Sequence, residues 1–332
     1  MMSMPLQHQR ERGPCFMHDY DNRLLSRLQP KRERCLILAA SLERLGITNW
    51  APLVRDCGTW IGIADDDQGE GHIVEANFCT HRLCPACNWR RGLRIYSTTS
   101  RILDYIDAQE SKAVKYLFLT LTVKNCQIPD LSEAIDQMAQ AFNRLQANRA
   151  WKRRILGSMR TLEVTINRED MTAHPHYHLI LAVPRSYGSA GDPLYWSHDQ
   201  WQAAWRTACR LDYDPQVSIQ VIKGGRKAGI REVAKYMAKD SDYLIDASKA
   251  HMGTEEAEAL TDYLVRQLGT QLKGRRLVSY TGILRKAQQA LKLADPEAAP
   301  LVDTIRGDVN QAIRRYKWHA GLSKYVETEG RG

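Results

Sequence analysis

Apolar and polar positions alternate most clearly in three stretches of the chain. Alternation at every second residue predicts strands with one buried face. Lys115 to Val123 reads KYLFLTLTV, with Leu117, Leu119 and Leu121 on one side and Thr120 and Thr122 on the other. Arg160 to Asn167 reads RTLEVTIN: Leu162, Val164 and Ile166 face inward, and Thr161, Glu163 and Thr165 share the opposite side. His174 to Leu181 reads HPHYHLIL, with His174, His176 and His178 in one row and Tyr177, Leu179 and Leu181 in the other. A hairpin centred near Asp170 and Met171 would set Glu163 opposite His178. Val217 to Ile222 predicts another strand before the Gly224-Gly225 turn. The stretch TWIGIADDDQGEGHIVEANF predicts a hairpin with Asp and Gly at its tip.

A period near 3.6 appears elsewhere. Ile135, Met138, Ala139, Phe142 and Leu145 make an apolar stripe, with Asp130 and Glu133 placed for a capping box. Trp201 and Trp205, four apart, predict core packing on a helix. In residues 229 to 244, Ile230, Val233, Ala234 and Met237 share one helical face, while Glu232, Tyr236, Lys239 and Tyr243 share nearly the opposite one. Leu36 to Leu45 predicts a short helix stopped by Gly46. Alternating strands and amphipathic helices predict an α+β protein, an antiparallel sheet flanked by helices. The expected organisation is a basic arm (residues 1–54), a cysteine-bearing module (55–112), a main domain (113–290) and a basic tail (291–332).

Charge narrows the partners. The 332 residues carry a formal net charge of +9, which favours an acidic partner, nucleic acid first. Arg82 to Arg101 holds five arginines and no acid, and Arg144 to Arg160 holds six basic residues and no acid, so both suit a phosphate backbone. No apolar run nears the ~20 residues that cross a bilayer. The first residues contain no apolar segment suited to secretion, so a cytoplasmic protein is expected.

Two groups of residues carry candidate chemistry. Cys84 and Cys87 are spaced as a knuckle that lets two thiolates grip one Zn²⁺, and Cys57 and Cys79 would complete a tetrahedral site, with His81 in reserve. The row His176 and His178, joined by Glu163 or His174, is a set of hard and borderline ligands suited to Mg²⁺ or Mn²⁺.

Three motifs then match, in order, a family. FLTLT (Phe118 to Thr122), HPHYHLIL (His174 to Leu181) and EVAKYMAKDSDYL (Glu232 to Leu244) resemble the motifs of rolling-circle plasmid replication initiators, of the HUH (histidine–hydrophobic–histidine) endonuclease superfamily. The cysteine pattern CG…FCTHRLCPACNWRR resembles that family's upstream zinc-binding region, and LKGRRLVSYTGIL its C-terminal part. The similarity spans roughly residues 55 to 290. It implies a ferredoxin-like core with a five-stranded sheet. It assigns His176 and His178 as metal ligands with Glu163 as third, Tyr236 as nucleophile, Glu232 as the carboxylate that activates water, and Lys239 as the trailing lysine. The implied activity is nicking of one strand at a plasmid origin through a 5′-phosphotyrosine, on supercoiled, cruciform or single-stranded DNA. Host helicase and polymerase, and a homodimer, are the implied partners. A relaxase or single-strand transposase would share the chemistry; a zinc-knuckle DNA-binding regulator or an RNA-binding protein would lack it.

Overall fold

The computed structural model describes residues 19–66, 69–109, 113–222, 229–231, 234, 239–304 and 313–328. In chain order its elements are α1 (Asp19–Arg44), α2 (Ala51–Asp56), β1 (Trp60–Asp65), β2 (Gly71–Ala76), α3 (Pro85–Gln109), β3 (Val114–Thr122) and β4 (Cys126–Gln127). Then follow α4 (Leu131–Ala147), α5 (Arg149–Arg154), β5 (Gly157–Asn167), β6 (Thr172–Pro184), α6 (His198–Cys209) and β7 (Val217–Val221). The chain continues with α7 (Asp240–Tyr243), α8 (Ala247–Ala250), α9 (Thr254–Gln271), β8 (Val278–Tyr280), α10 (Gly282–Ala290), β9 (Arg314–His319) and β10 (Lys324–Thr328). The fold is α+β, with antiparallel sheets. Contacts divide the chain into two units: residues 1–30, 59–76 and 302–332, and residues 31–58 and 77–301.

The first unit is built on a four-stranded antiparallel sheet, β10-β9-β1-β2. Residues 314–328, which read as tail, supply half of its strands. The sequence RRYKWH alternates basic with aromatic residues, so its composition hides a strand that buries Tyr316. Arg314 donates to both oxygens of Asp21 (2.7 and 3.0 Å) and of Asp65 (2.7 and 2.8 Å), and the Tyr316 hydroxyl donates to Asp21 at 2.6 Å. Asp21 is fully buried, and this bonding offsets the cost of taking its charge out of water.

The second unit is organised by a sheet with strands in the order β7-β3-β6-β5-β8 and the short β4 paired to the start of β6. One face carries Leu117, Leu119, Leu121, Leu162, Val164, Tyr177, Leu179 and Leu181, all buried. Phe142 of α4 meets Tyr177 edge-on, Trp151 meets Phe142, and Trp201 meets Trp151, so aromatic rings from three helices cover that face. The Trp205 indole donates to the Thr122 carbonyl at 2.8 Å. The expected capping box at Asp130 is absent, because a 3₁₀ turn over Ile128–Asp130 leads into α4 and Asp130 makes no side-chain cap. Instead the Ser132 amide donates to Gln271 of α9 at 2.9 Å. A capping box does form at Ser197 and Gln200, at the start of α6.

The other face has two halves. Phe118, Met159, Ile180, Ala182 and Tyr280 pack against Ile102, Leu103 and Ile106 of α3, with Leu284 of α10 and with Ile230 and Ala234. The histidine row lies on this same face. At the start of α10, Gly282 has φ +55°, and a Cβ there would sit 2.1 Å from the Leu156 carbonyl oxygen.

Two helical expectations change. α1 spans 26 residues, not ten, because its arginines and internal Pro30 break the visible stripe while Leu28, Leu38 and Leu42 remain buried. The single helix expected over residues 229–244 does not run to its end. Lys239 is extended (ψ 130°), and α7 starts after it. Lys31 and Arg34 of α1 explain this locally: Lys31 pairs with Asp240 at 2.8 Å, and Arg34 donates to the Asp240 and Leu244 carbonyls at 2.5 and 2.6 Å.

Trp205→Ala removes a fully buried ring and its bond to β3, so we expect a loss of about 3–5 kcal/mol, read as a lower urea midpoint.

Candidate active site

The strands β5 and β6 pair through eleven residues, from Gly157 opposite Ala182 to Asn167 opposite Thr172. Glu163 faces His176, and Thr161 faces His178. The turn therefore centres one residue earlier than expected. Local bonds hold it there: Asn167 Oδ1 accepts from the Glu169 amide, and Asp170 Oδ1 accepts from the Thr172 amide (3.2 Å) and hydroxyl (2.6 Å). Met171 takes φ +53° to close it. The correction moves each partner by two residues, which preserves the face, so Glu163 stays on the histidine side.

The side chains converge. Glu163 Oε2 lies 2.9 Å from His178 Nε2 and 3.4 Å from His176 Nε2. All three residues are less than a tenth exposed. The other ring nitrogens have partners: His176 Nδ1 lies 3.2 Å from the His174 carbonyl, and His178 Nδ1 lies 3.1 Å from Thr120 Oγ1. Phe118 stacks on His178 with centroids 5.5 Å apart. Burial works to raise the Glu163 pKa, but hydrogen bonds and charge from His176 and His178 outweigh it and hold the carboxyl well below the usual range. His174 stands beside His176, ring to ring at 5.5 Å, outside the three-atom cluster. Burial and the His176 charge lower its pKa. Thr120, Thr122, His174, His176, His178, Gln216 and Ser218 line an open pocket of about 240 Å³.

The cysteines converge too. Cys57 Sγ lies 3.4 Å from Cys84 Sγ and 3.5 Å from Cys87 Sγ, and Cys79 Sγ lies 3.7 Å from Cys87 Sγ. The Cys79 and Thr80 amides donate to the sulfurs of Cys57 and Cys87. His81 is not among these ligand atoms; its Nδ1 accepts from the Leu83 amide. A fifth thiol, which no sequence spacing marks, joins them. Cys35 of α1 is fully buried, with its sulfur 3.5 Å from that of Cys84. No neighbouring cysteine or histidine at ligand spacing marks it in the sequence.

A family described as "Replication protein" matches residues 70–326. The chain belongs to that family. Its motifs are those of the rolling-circle plasmid initiators that the sequence resembles. It is 33% identical to a "Protein rep" of Streptococcus pneumoniae over 254 residues, 76% of this chain and 75% of the relative. A "Protein rep" of Bacillus amyloliquefaciens is 32% identical over 89% of this chain and 92% of its own length. One of Lentilactobacillus hilgardii is 30% identical over 90% and 94%. No solved structure matches significantly. Among the described residues no helix is long and apolar enough to cross a membrane.

In this replication-family chain, Glu232 and Tyr236 of the third motif lie outside the described residues. Lys239 is exposed, just ahead of α7. Tyr243 does not share a face with it: it is buried, its hydroxyl donates to the Leu83 carbonyl at 2.7 Å, and burial raises its pKa. That tyrosine is structural. Several of the basic residues expected on phosphate also turn inward. Arg90 donates to the Leu301 carbonyl, Arg154 stacks on Trp196, and Arg160 stacks on Tyr177. Arg101, Arg149, Lys152 and Arg153 stay exposed.

A carboxyl whose folded pKa is depressed contributes stability that is present above its unfolded pKa, about 4.3, and lost as pH falls below it. We expect Glu163→Gln to flatten the acid limb of stability between about pH 5 and pH 2, measured as urea midpoint against pH.

Proposed function

We propose that the protein initiates rolling-circle plasmid replication by nicking one strand of origin DNA. The observation that carries this reading is the meeting of Glu163, His176 and His178, with both imidazoles lining an open pocket, in a member of a replication-protein family. The donor set fits a small divalent ion. Adjacent ligands of an octahedral ion at ~2.1 Å are about 3 Å apart, and Glu163 Oε2 lies 2.9 and 3.4 Å from the two imidazole nitrogens. Mg²⁺ or Mn²⁺ held there would polarise the scissile phosphate and offset charge on its oxygens.

Tyr236 is the proposed nucleophile. A free phenol ionises only near pH ~10, so the nucleophile needs help, a task we give to Lys239 or to the metal ion. The phenolate oxygen bonds to phosphorus, the bond to the 3′ oxygen breaks, and that oxygen takes a proton. The products are a 5′-phosphotyrosyl link and a free 3′-OH. The link conserves phosphodiester energy for rejoining, and the 3′-OH suits extension by a host polymerase behind a helicase. Glu232 acts at termination, taking a proton from water that attacks the link. The burial of Ile230 and Ala234 with Phe118 and Ile180 supports this arrangement, since Ile230 precedes the third motif, Ala234 lies within it, and both pack on the sheet face that carries the histidines. The proposed substrate is a melted or extruded strand, in which the scissile phosphate is open to Tyr236.

The cysteines fit a structural zinc. Tetrahedral thiolates at ~2.3 Å from zinc are about 3.8 Å apart, close to the 3.4–3.7 Å observed.

On supercoiled cognate plasmid with Mn²⁺, the protein should give nicked DNA carrying a covalent protein adduct, and EDTA should abolish both. Tyr236→Phe should remove the adduct on a denaturing gel; an adduct that persists would falsify the assignment. Cys84→Ser should lower zinc content below one per chain by atomic absorption, and reduce Tm.

A further inference from the structure

We infer that Thr120 is the positioning residue that holds His178 in the ring orientation and tautomer needed for metal binding. The inference rests on the metal reading above and adds a role for a strand residue that faces the site without reaching the ion. Thr120 sits in the middle of β3, paired on one side with His178 and on the other with Ser218. Its backbone is therefore held by ladders on both sides, and its hydroxyl lies 3.1 Å from His178 Nδ1.

The two imidazoles of the site are oriented differently. His176 Nδ1 faces the carbonyl of His174, an acceptor only, so with an ion on Nε2 the ring proton resides on Nδ1 and donates to that carbonyl. His178 Nδ1 faces a hydroxyl, which both donates and accepts. Without an ion, Nε2–H of His178 donates to Glu163 at 2.9 Å, and Nδ1 accepts from Thr120. With an ion, Nε2 must present a lone pair. The ring proton then resides on Nδ1 and donates to the same oxygen, once the hydroxyl turns. Thr120 satisfies both states without moving a heavy atom. Phe118 against the ring face and His176 at its edge restrict rotation further.

Thr122, two residues along on the same face, serves as an internal comparison. Its hydroxyl donates to the Gln216 carbonyl at 2.8 Å and ties down the start of β7. It makes no hydrogen bond to an imidazole among the described residues.

Groups that orient a ligating histidine typically change metal affinity 10–100-fold when removed. The test is Mn²⁺ binding to the full chain, by titration of free Mn²⁺ with electron paramagnetic resonance, needing no DNA. Thr120→Val, nearly isosteric, should weaken binding by about 10-fold or more. Thr120→Ser should restore it to within a few-fold. His178→Ala should abolish the site and serves as the control on the metal reading itself. If His178→Ala leaves Mn²⁺ binding intact, the metal reading fails and this inference with it. If His178→Ala abolishes binding but Thr120→Val binds as tightly as the parent, only this inference is overturned. Equal weakening by Val and Ser at position 120 also overturns it, because the hydroxyl would then not be the cause.

Discussion

The register of β5 against β6 is the constraint on which the rest of the site depends. Glu163 comes from one strand and His176 and His178 from the other, and nothing but the ladder between them sets their separation. A slip of one residue would send Glu163 to the apolar face and Leu162 or Val164 into the pocket. A slip of two would keep the faces and slide the carboxylate past its partners. Two features oppose both errors. The apolar face matches Leu162 with Tyr177 and Arg160 with Leu179, under the aromatic cover of Phe142 and Trp151. At the other end the Asn167 and Asp170 side chains fix the turn by bonding local amides. Packing thus selects the face, and turn chemistry selects the step along it.

The same sheet face does two incompatible jobs side by side. Toward β8 it is a dry core of Phe118, Met159, Ile180 and Tyr280. A few residues along the same strands it presents two imidazoles, a carboxylate and two threonines. Burying Glu163 among apolar neighbours would be costly alone. The two imidazoles reverse the balance, as the lowered carboxyl pKa records, and Phe118 belongs to both halves by packing in the core and stacking on His178. Because the core abuts the cluster, the imidazoles are held by a rigid wall instead of a loop, which is the support that a site needing tight geometry requires.

How much of this was legible follows from which signals are local. Strand alternation is local, and β3, β5 and β6 were readable with their faces correct. The cysteine knuckle and the histidine row are local spacings and were readable as well. Glu163 was reachable only through a guessed turn, and its side of the strand survived the error because a two-residue shift conserves parity. Long-range features left no such trace. The α4 amide satisfied by Gln271 shares no spacing with it. Cys35 joins the thiol cluster from a helix whose stripe is broken by arginines. The strands β9 and β10 look like a basic tail because β1, which β9 pairs with, lies far earlier in the chain. Tyr243 shared a helical face with Lys239 on paper, and lost it because Arg34 and Lys31 reshape the backbone at Asp240.

The two clusters are supported in different ways, and this bears on how each would fail. The histidine site stands on ladders of nine and eleven residue pairs, β3 with β6 and β5 with β6, so its backbone is held by the sheet itself. The four clustered cysteines stand on short loops and helix ends, with Cys35 of α1 packed against Cys84 and few ladder bonds among them. Thiolates so close repel one another unless a cation lies between them, so the proposed zinc would be part of the folding energy there. What hangs from that cluster is the end of the third motif. Tyr243 is anchored to the Leu83 carbonyl, next to Cys84, and Arg34 of α1 holds the carbonyls at both ends of α7. Loosening the cysteines would therefore free α7 while leaving the sheet and its imidazoles in register. In the proposed mechanism the sheet supplies the ion's seat, and the cysteine cluster steadies the chain on the far side of Tyr236.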